Sequence, residues 1–258
     1  MTVLAPAPRP AETPNRLGRA RDWLTNPKYG PVIVTAVLLV GMLIAGALRY
    51  RGFTNPQVIA NLFIDNAYLL VLAVGMTFVI LTGGIDLSVG AVLAMSTMIT
   101  ASLLQSGWSP GVIIPLVLVL TSLLGLLVGL MIHYFQIQPF IATLAAMFLA
   151  RGLCYVISNT TISITDPVFI ALAQTRIPII PGFSITPSVI IAVAVVVAAV
   201  FVLHYTRLGR TVYAIGGSEQ SGVLMGLPTA RTNVLVSVIS GVCSGLAGVL
   251  SSFYTLSG

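Results

Sequence analysis

Charged residues are scarce in this chain, and acidic ones are the scarcest. Only 7% of its 258 residues are charged, with twelve basic and six acidic side chains, whereas about a quarter of the residues in an ordinary soluble domain are charged. The one lysine, Lys28, lies near the N-terminus. A phosphate-binding loop of the G-x-x-x-x-G-K-[ST] type needs a lysine after its glycines and is therefore excluded. This chain cannot hydrolyse ATP through that motif.

Sequence signatures of catalysis and disulfide bonding are also missing. No H-E-x-x-H or G-x-S-x-G sequence occurs, so zinc-dependent and serine hydrolase chemistry has no motif here. Cys154 and Cys243 both lie in apolar stretches and are predicted to be buried free thiols. His133 and His204 fall at predicted span ends, where contact with terminal carbonyls is favoured over metal binding. We expect a chain that is not an enzyme and needs no cofactor.

Apolar residues are abundant and lie in long runs. They make up 57% of the chain, and the mean hydropathy is +1.04. Because about 20 apolar residues in a helix cross the bilayer core, these runs predict an all-α, polytopic membrane protein with about seven transmembrane helices, at 31–48, 67–82, 89–105, 111–132, 139–157, 187–205 and 232–254. The amphipathic segment 55–66 begins with a helix-start signal, and it either lies at the interface or extends the second span.

Most basic side chains lie in the N-terminal tail, 1–30, and in the loop 206–231. Placing both on the cytoplasmic side leaves only Arg49, Arg51 and Arg176 outside, as the positive-inside rule favours. The net charge of +6 is then explained by membrane anchoring, and no nucleic-acid partner is expected. We predict a cytoplasmic N-terminus, a proline-rich disordered tail, and a first span whose long apolar run distinguishes it from a cleaved signal peptide.

A polar break at 83–90, Gly-Gly-Ile-Asp-Leu-Ser-Val-Gly, interrupts one long apolar run. Backbone polar groups at membrane depth are tolerated only against protein or a water-filled cavity. We therefore expect a helix break beside a translocation path. Its glycine and polar residues are Gly83, Gly84, Asp86, Ser88 and Gly90. Asp86 either caps the restarting helix together with Ser88 or contacts substrate, and capping is the favoured interpretation.

Other residues at membrane depth give weaker signals. Ser96 and Thr100 lie one helical turn apart, and they either line a weakly polar path or bond back to their own helix. Arg151, the second intramembrane charge, either extends toward the outer surface or donates to carbonyls of the outer loop. The G-x-x-x-G spacings at 125–129 and 241–245 permit close helix packing.

Two loops are long enough to form surfaces. The outer loop, 158–186, is rich in proline and is predicted to be a rigid, non-helical lid or docking surface. The cytoplasmic loop, 206–231, contains a short predicted helix that Ser218 caps and Gly226 ends. This helix carries three apolar residues, Val223, Leu224 and Met225. They either pack on the ends of the spans or contact a partner.

Three stretches of the sequence resemble one family. Residues 73–90, Ala-Val-Gly-Met-Thr-Phe-Val-Ile-Leu-Thr-Gly-Gly-Ile-Asp-Leu-Ser-Val-Gly, resemble the signature of permease subunits in ribose-type sugar ABC importers. Residues 209–218, Gly-Arg-Thr-Val-Tyr-Ala-Ile-Gly-Gly-Ser, are similar to a cytoplasmic segment of the same family, and 139–145 fits as well. Within the family, the similarity is best to galactofuranose importer permeases.

The resemblance implies a permease that carries a monosaccharide across the bacterial inner membrane, surrounded by lipid. Such a permease pairs with a second permease, either a copy of itself or a sister chain. It receives sugar from a periplasmic binding protein and is driven by a separate ATP-hydrolysing subunit. The residues that the resemblance assigns to coupling with this ATPase are Gly216, Gly217, Ser218, Glu219, Val223, Leu224, Met225, Gly226 and Leu227.

Family members continue beyond the equivalent of Gly258, so the permease domain, 31–258, is expected to lack its C-terminal spans. Two other interpretations are kept open. A secondary sugar transporter or facilitator uses the same broken-helix device without an ATPase. A truncated fragment without transport activity is the other possibility.

Overall fold

The structure, a computed structural model, describes residues 30–50, 52–53 and 55–258. The predicted disordered tail, 1–30, lies outside the described residues except for Gly30. The chain divides into two compact units, Met1–Asn55 and Pro56–Gly258. The first unit contains helix α1, Gly30–Arg49.

The second unit is helical apart from one small hairpin. In chain order its elements are α2 (Pro56–Asp65), α3 (Ala67–Leu81), α4 (Val89–Gln105), α5 (Pro110–His133), α6 (Pro139–Ile157), α7 (Pro167–Gln174), β1 (Ile177–Ile180), β2 (Phe183–Ile185), α8 (Pro187–Tyr205), α9 (Arg207–Gly217), α10 (Glu219–Leu224) and α11 (Thr229–Thr255). Five of these helices begin at a proline, whose fixed φ suits the first helical turn. The predicted all-α membrane fold is confirmed.

Within the described part of the chain, five helices are long and apolar enough to cross a membrane: α1, α5, α6, α8 and α11. The pair α2–α3 makes a sixth if it is treated as one span, although it bends by 55° at its break. The predicted third span is helix α4, which has 17 residues and is a shorter apolar helix. The helices therefore lie where the apolar runs predict them, but the predicted number of seven spans is not confirmed.

Helix α11 lies at the centre of the second unit and packs against α5, α3 and α4. On α11, Gly241 and Gly245 lie against Thr121 of α5, and on α5, Gly125 and Gly129 lie against the backbone of α11. A side chain at these positions would meet atoms of the other helix, so the small residues allow the close approach. The two glycine spacings noted in the sequence thus form one helix contact.

Glycines also bring α11 close to its other two neighbours. A methyl group built on Gly75 of α3 would lie 2.8 Å from the Cβ of Cys243, and Gly248 lies directly against Ser96 of α4. Cys243 is buried and unoxidised, as predicted, whereas the second free cysteine, Cys154, is only half-buried. Small residues therefore allow close contact on three faces of α11, toward α3, α4 and α5.

The outer loop, 158–186, is not the non-helical segment predicted from its prolines, and that prediction is wrong. It folds into α7 and the antiparallel hairpin β1–β2. Asp166 Oδ1 accepts the N–H groups of Val168 at 3.0 Å and Phe169 at 2.9 Å, which caps α7. The buried Phe169 ring stacks on Phe253 of α11, with 4.4 Å between centroids. Proline at the first helical turn starts α7 rather than preventing it.

Side-chain and backbone bonds tie the outer loop to its neighbours. Gln57 of α2 accepts the N–H of Ser184 through Oε1 at 2.9 Å and donates to the Ser184 carbonyl through Nε2 at 3.1 Å. The N–H of Ile164 donates to the carbonyl of Leu256 at 2.8 Å, so residues after α11 pair with the start of the loop. The loop is therefore a folded cover over one end of the bundle.

We predict opposite effects for the same substitution at two glycines. Gly241→Ala places a methyl group against a backbone carbonyl that cannot rotate away, so it should lower the free energy of unfolding by about 1–3 kcal/mol. Gly152→Ala, on α6, adds its methyl group to open space, so it should be neutral or stabilising because alanine is the better helix former. Thermal unfolding in detergent, monitored through the reaction of the buried Cys243 thiol, measures the stability of both variants. Equal stability of the two variants would contradict the packing argument.

Candidate functional site

The polar break turns the chain sharply after α3. Gly83 has a φ of +76°, in the left-handed region that glycine adopts without strain. Its N–H donates to the carbonyl of Ile80 at 2.9 Å, and the N–H of Gly84 donates to that of Val79 at 3.0 Å. These bonds satisfy carbonyls that would otherwise be unpaired at the helix end. The glycine pair is therefore explained by the termination of α3.

The carboxylate of Asp86 joins the break to the central helix. Its Oδ1 accepts the backbone N–H of Ser88 at 2.9 Å and the Ser88 hydroxyl at 2.6 Å. Its Oδ2 accepts the hydroxyl of Ser240, on α11, at 2.8 Å. Hydrogen bonds to a charged acceptor are stronger than neutral ones. Asp86 thus fixes the break to a residue 154 positions away in the sequence.

The predicted cap of α4 is wrong in its geometry. Ser88 occupies the N-cap position, but its side chain accepts no N–H from α4. Its backbone already has helical angles, with φ of −81° and ψ of −21°, and its hydroxyl is turned toward Asp86. Asp86 in turn binds the N–H of Ser88 itself rather than the N–H groups of the first helical turn. The Asp86 carboxylate therefore connects the break to α11 rather than capping α4.

A cavity of about 520 Å³ opens beside the break, and we call it the break cavity. Its walls come from the break, the end of α5, the start of α6, and the N-terminal ends of α10 and α11. Its polar lining side chains are Thr82, Asp86, His133, Gln136, Gln138, Thr143, Glu219, Asn233 and Ser237. The volume lies within the range of about 300–1,000 Å³ that is usual for small-molecule sites.

The structure brings together only some of the predicted path residues. Gly83, Gly84 and Asp86 line the break cavity. Ser88 is buried and contributes through its bond to Asp86. Gly90 is exposed on the first turn of α4, with no neighbouring atom within 4 Å of where its Cβ would be.

Ser96 and Thr100 do not line the break cavity, and their assignment to the path is corrected. Both side chains are fully buried. The Ser96 hydroxyl donates to the carbonyl of Val92 at 2.7 Å, and the Thr100 hydroxyl donates to that of Ser96 at 2.7 Å. Gly248 of α11 packs directly on Ser96. Each hydroxyl is satisfied within its own helix, so α11 can cover it closely.

Sequence reasoning misses several cavity residues. His133 ends α5, Gln136 and Gln138 lie between α5 and α6, and Asn233 and Ser237 lie one turn apart on α11. The available signals were three polar side chains within six residues of a span end, and an i, i+4 polar pair on a mostly apolar helix. His204 lies outside the break cavity, and its Nδ1 is 2.9 Å from the Val200 carbonyl, one turn back in its own helix.

Residues 216–227, the coupling segment, have the helix boundaries that the sequence predicts. Ser218 Oγ accepts the N–H of Ser221 at 3.2 Å and caps α10. Gly226 follows α10 with a φ of +74°, and its N–H donates to the carbonyl of Val223 at 2.9 Å. The N–H of Leu227 donates to the carbonyl of Gly222 at 3.0 Å, which completes a Schellman ending.

The apolar side chains of the coupling segment point away from the bundle. Val223 is 57% exposed, Leu224 is 88% exposed and Met225 is 68% exposed. Of the two interpretations left open by the sequence, packing on the ends of the spans is therefore wrong for the described chain. Adjacent exposed apolar side chains at the end of a helix bundle are typical of an interaction surface.

The coupling segment touches both the C-terminal end of α3 and the break cavity. Gly216 lies against the carbonyl of Leu81, the last residue of α3, where a side chain would collide. Glu219 Oε1 accepts a hydrogen bond from Asn233 Nδ2 of α11 at 3.1 Å, and both residues line the break cavity. Gly217, the last residue of α9, is exposed. A displacement of α10 would therefore act directly on the cavity wall.

Arg151 lies apart from this site, exposed on α6. No hydrogen bond or ion pair joins it to residues 30–50, 52–53 or 55–258, so carbonyls of the outer loop do not bind it. Its exposure is consistent with a side chain that extends along the bundle surface toward the membrane boundary.

Apolar spans, a broken helix and a polar cavity at the break define the chain as a polytopic membrane protein. Residues 58–258 match the model of the family described as "Branched-chain amino acid transport system / permease component", and the chain belongs to this family. The resemblance to permeases of sugar importers is confirmed by its relatives. No solved structure matches the chain.

Three curated relatives show the extent of the similarity. The fructose import permease protein FruG of Bifidobacterium longum is 40% identical over 226 residues, which cover 85% of this chain and 66% of the relative. The inner membrane ABC transporter permease protein YjfF of Escherichia coli is 40% identical over 88% of this chain and 69% of its own. The ribose import permease protein RbsC of Bacillus subtilis is 37% identical over 86% and 67%. The chain thus spans about two thirds of the length of these relatives.

We predict that Asp86→Ala destabilises the protein without changing its substrate preference. The variant loses three hydrogen bonds to a carboxylate, so its free energy of unfolding should fall by about 1.5–3 kcal/mol. Ser240→Ala should cost much less in the Asp86→Ala background than in the native chain, because the two residues form one bond. A double-mutant cycle of thermal unfolding measures this coupling. Normal stability of Asp86→Ala with an altered substrate preference would assign the carboxylate to the substrate instead.

Proposed function

We propose that the chain is the permease subunit of an ATP-driven importer that moves a monosaccharide across the bacterial inner membrane. Relatives support this proposal. They include permeases named for fructose import, ribose import and D-allose transport, and one named as an inner membrane ABC transporter permease. Their identities to this chain range from 34% to 40%. None of these names supports the alternative of a secondary transporter.

The observation that carries the proposal is the position of the coupling segment. Its apolar side chains are exposed, while Glu219 at its start is bonded to the wall of the break cavity. An exposed apolar surface of this kind is suited to a partner that covers it. A partner bound there would act on the cavity wall through the hydrogen bond between Glu219 and Asn233. The chain has no phosphate-binding motif of its own. A separate ATPase subunit that docks on Val223, Leu224 and Met225 fits both facts.

The proposed movement begins at this docking surface. ATP binding by the partner displaces α10, which shifts the Glu219–Asn233 bond and the contact of Gly216 with Leu81. These contacts lie at the N-terminal end of α11 and the C-terminal end of α3, so the two helices move relative to each other at the break. Such a two-state rearrangement alternates access between the two sides of the membrane.

The lining of the break cavity favours a neutral, hydroxylated cargo. The carboxylate of Asp86 already accepts hydrogen bonds from the hydroxyls of Ser88 and Ser240, and Glu219 accepts one from Asn233. The other polar groups are amides, hydroxyls and one imidazole, which donate and accept hydrogen bonds without a fixed charge. A sugar presents the same kind of groups. The scarcity of free intramembrane carboxylates also argues against proton coupling.

The remaining partners follow from orientation and family. With the N-terminus in the cytoplasm, the break cavity and the coupling segment face the cytoplasm, and the outer loop, 158–186, faces the periplasm. A periplasmic binding protein delivers sugar to that outer surface. A second permease, either a copy of this chain or a sister chain, completes the path, and lipid surrounds the pair.

We predict that Met225→Asp prevents association with the ATPase while leaving membrane insertion intact. The new carboxylate would lose its hydration on docking, and an apolar interface offers no hydrogen bond or opposite charge to offset that free energy. Co-purification of the ATPase with the full-length permease from membranes measures the effect. Ile180→Asp is the matched control, because it introduces the same charge at an exposed apolar residue, 63% accessible, at the other end of the bundle.

Two results would count against the proposal. If the ATPase co-purifies with Met225→Asp as well as with the native chain, the ATPase does not dock on Met225 and its neighbours. Sugar uptake by the purified permease without ATP or an ATPase would instead indicate a secondary transporter.

A further inference from the structure

Helix α2, Pro56–Asp65, lies at the end of the bundle opposite the break, because it leads into the start of α3 and the break follows the end of α3. It bends away from α3 by 55°. The carboxylate side chain of Asp65 stands at the bend and is exposed. A charged side chain is costly in the hydrocarbon core, so the bend lies near a membrane surface.

Two stacked tyrosines mark the same level of the bundle. Tyr68, in the first turn of α3, stacks on Tyr254, in the last turn of α11, with 6.4 Å between ring centroids. Tyrosine is enriched where membrane meets water, because its ring is apolar and its hydroxyl is polar. Helix α2 ends three residues before Tyr68, so it lies at this boundary.

One side of α2 is fixed to the protein. Ala60 and Ile64 are buried, and Ile64 belongs to an apolar cluster that includes Val189 of α8. Next to this side, Gln57 holds β2 through its hydrogen bonds to Ser184. These contacts set the rotation of α2 about its own axis, so its other sides face outward in a fixed order.

The exposed surface of α2 divides into a polar stripe and an apolar face. Asn61 and Asp65, one helical turn apart, form the polar stripe, and Asn61 Oδ1 accepts a hydrogen bond from Gln57 Nε2 at 3.0 Å. The residues of the apolar face are Val58, Ile59, Leu62 and Phe63. Ile59 is 56% exposed and Leu62 is 61% exposed. Because successive helical residues are about 100° apart, the stripe and the face lie side by side along α2.

We propose that α2 is an interfacial helix, which binds lipid acyl chains through its apolar face and keeps its polar stripe in water. Amphipathic helices lie at a membrane surface in this way. The partner is lipid because α2 leads directly into a membrane helix whose first turn also exposes an apolar residue, Leu69. The apolar face thus continues the lipid-facing surface of the bundle.

This placement gives the membrane a contact with the outer loop. Gln57 of α2 binds Ser184 of β2, so lipid that holds α2 also holds the hairpin β1–β2 against the end of the bundle. The inference goes beyond the proposed function and does not depend on it, since a facilitator with this fold would bind lipid in the same way.

Collision of spin labels with two reagents tests the placement. Ile59→Cys, Asn61→Cys and Leu62→Cys are each labelled with a nitroxide in the full-length permease, reconstituted alone in phospholipid liposomes. The background is Cys154→Ala, and Cys243 is buried. Oxygen concentrates among acyl chains, whereas the nickel complex NiEDDA stays in water. We expect the ratio of oxygen to NiEDDA collisions to be high at 59 and 62 and low at 61.

The order of the three values separates the alternatives, because Asn61 lies between the other two residues in the sequence. An upright span that extends α3 would change steadily with depth and give Asn61 an intermediate ratio. A protein surface over the apolar face, from α1 or another subunit, would shield positions 59 and 62 from both reagents. A face that waits for a soluble partner would collide with NiEDDA at all three positions. Each of these results would overturn the proposal.

Two carboxylates placed on adjacent residues give an independent measurement. Leu62→Asp puts a charge among acyl chains, which is costly. Asn61→Asp puts the same charge in water and keeps an oxygen to accept the hydrogen bond from Gln57. In liposomes the unfolding temperature should fall by several degrees for Leu62→Asp and stay unchanged for Asn61→Asp. Equal unfolding temperatures of the two variants would show that lipid does not contact the apolar face.

Discussion

Helix α11 crosses α3, α4 and α5 at distances that leave no space for side chains larger than glycine at the crossing points. In lipid, close van der Waals contact of this kind replaces the hydrophobic effect as the force that holds helices together. The contact of Gly75 with Cys243 closes the space between α3 and α11 at mid-height. The break cavity lies beyond this contact, beside the end of α3 and the N-terminal part of α11.

The end with the break cavity is organised by polar contacts that this crossing brings within reach. Ser240 lies on the buried face of α11, so it can bind Asp86 in the break. Asn233, nearly two turns earlier, binds Glu219 of the coupling segment. The same helix therefore connects the inner surface, the break and the sealed middle of the bundle. A movement of α11 changes all three together, which is what alternating access requires.

Periodicity and helix signals predict the elements well because they depend on neighbours in the sequence. The apolar runs place each long helix, Ser218 and Gly226 bound α10, and the glycine spacings mark a helix contact. The outer loop is the clear error. Its prolines indicate an irregular segment, but Asp166 and a buried Phe169 make a helix stable once Phe253 is there to receive the ring.

By itself, the sequence determined the class of protein, the positions of its helices and the family to which it belongs, since these depend on composition and local pattern. Only the tertiary structure decided which polar residues line a cavity. Ser96 and Thr100 are as polar as Asn233 and Ser237, yet the first pair is fully buried, with Gly248 of α11 against Ser96, and the second pair lines the break cavity. Whether a polar group meets a neighbouring helix or a cavity depends on how distant segments pack, and local pattern does not contain that information.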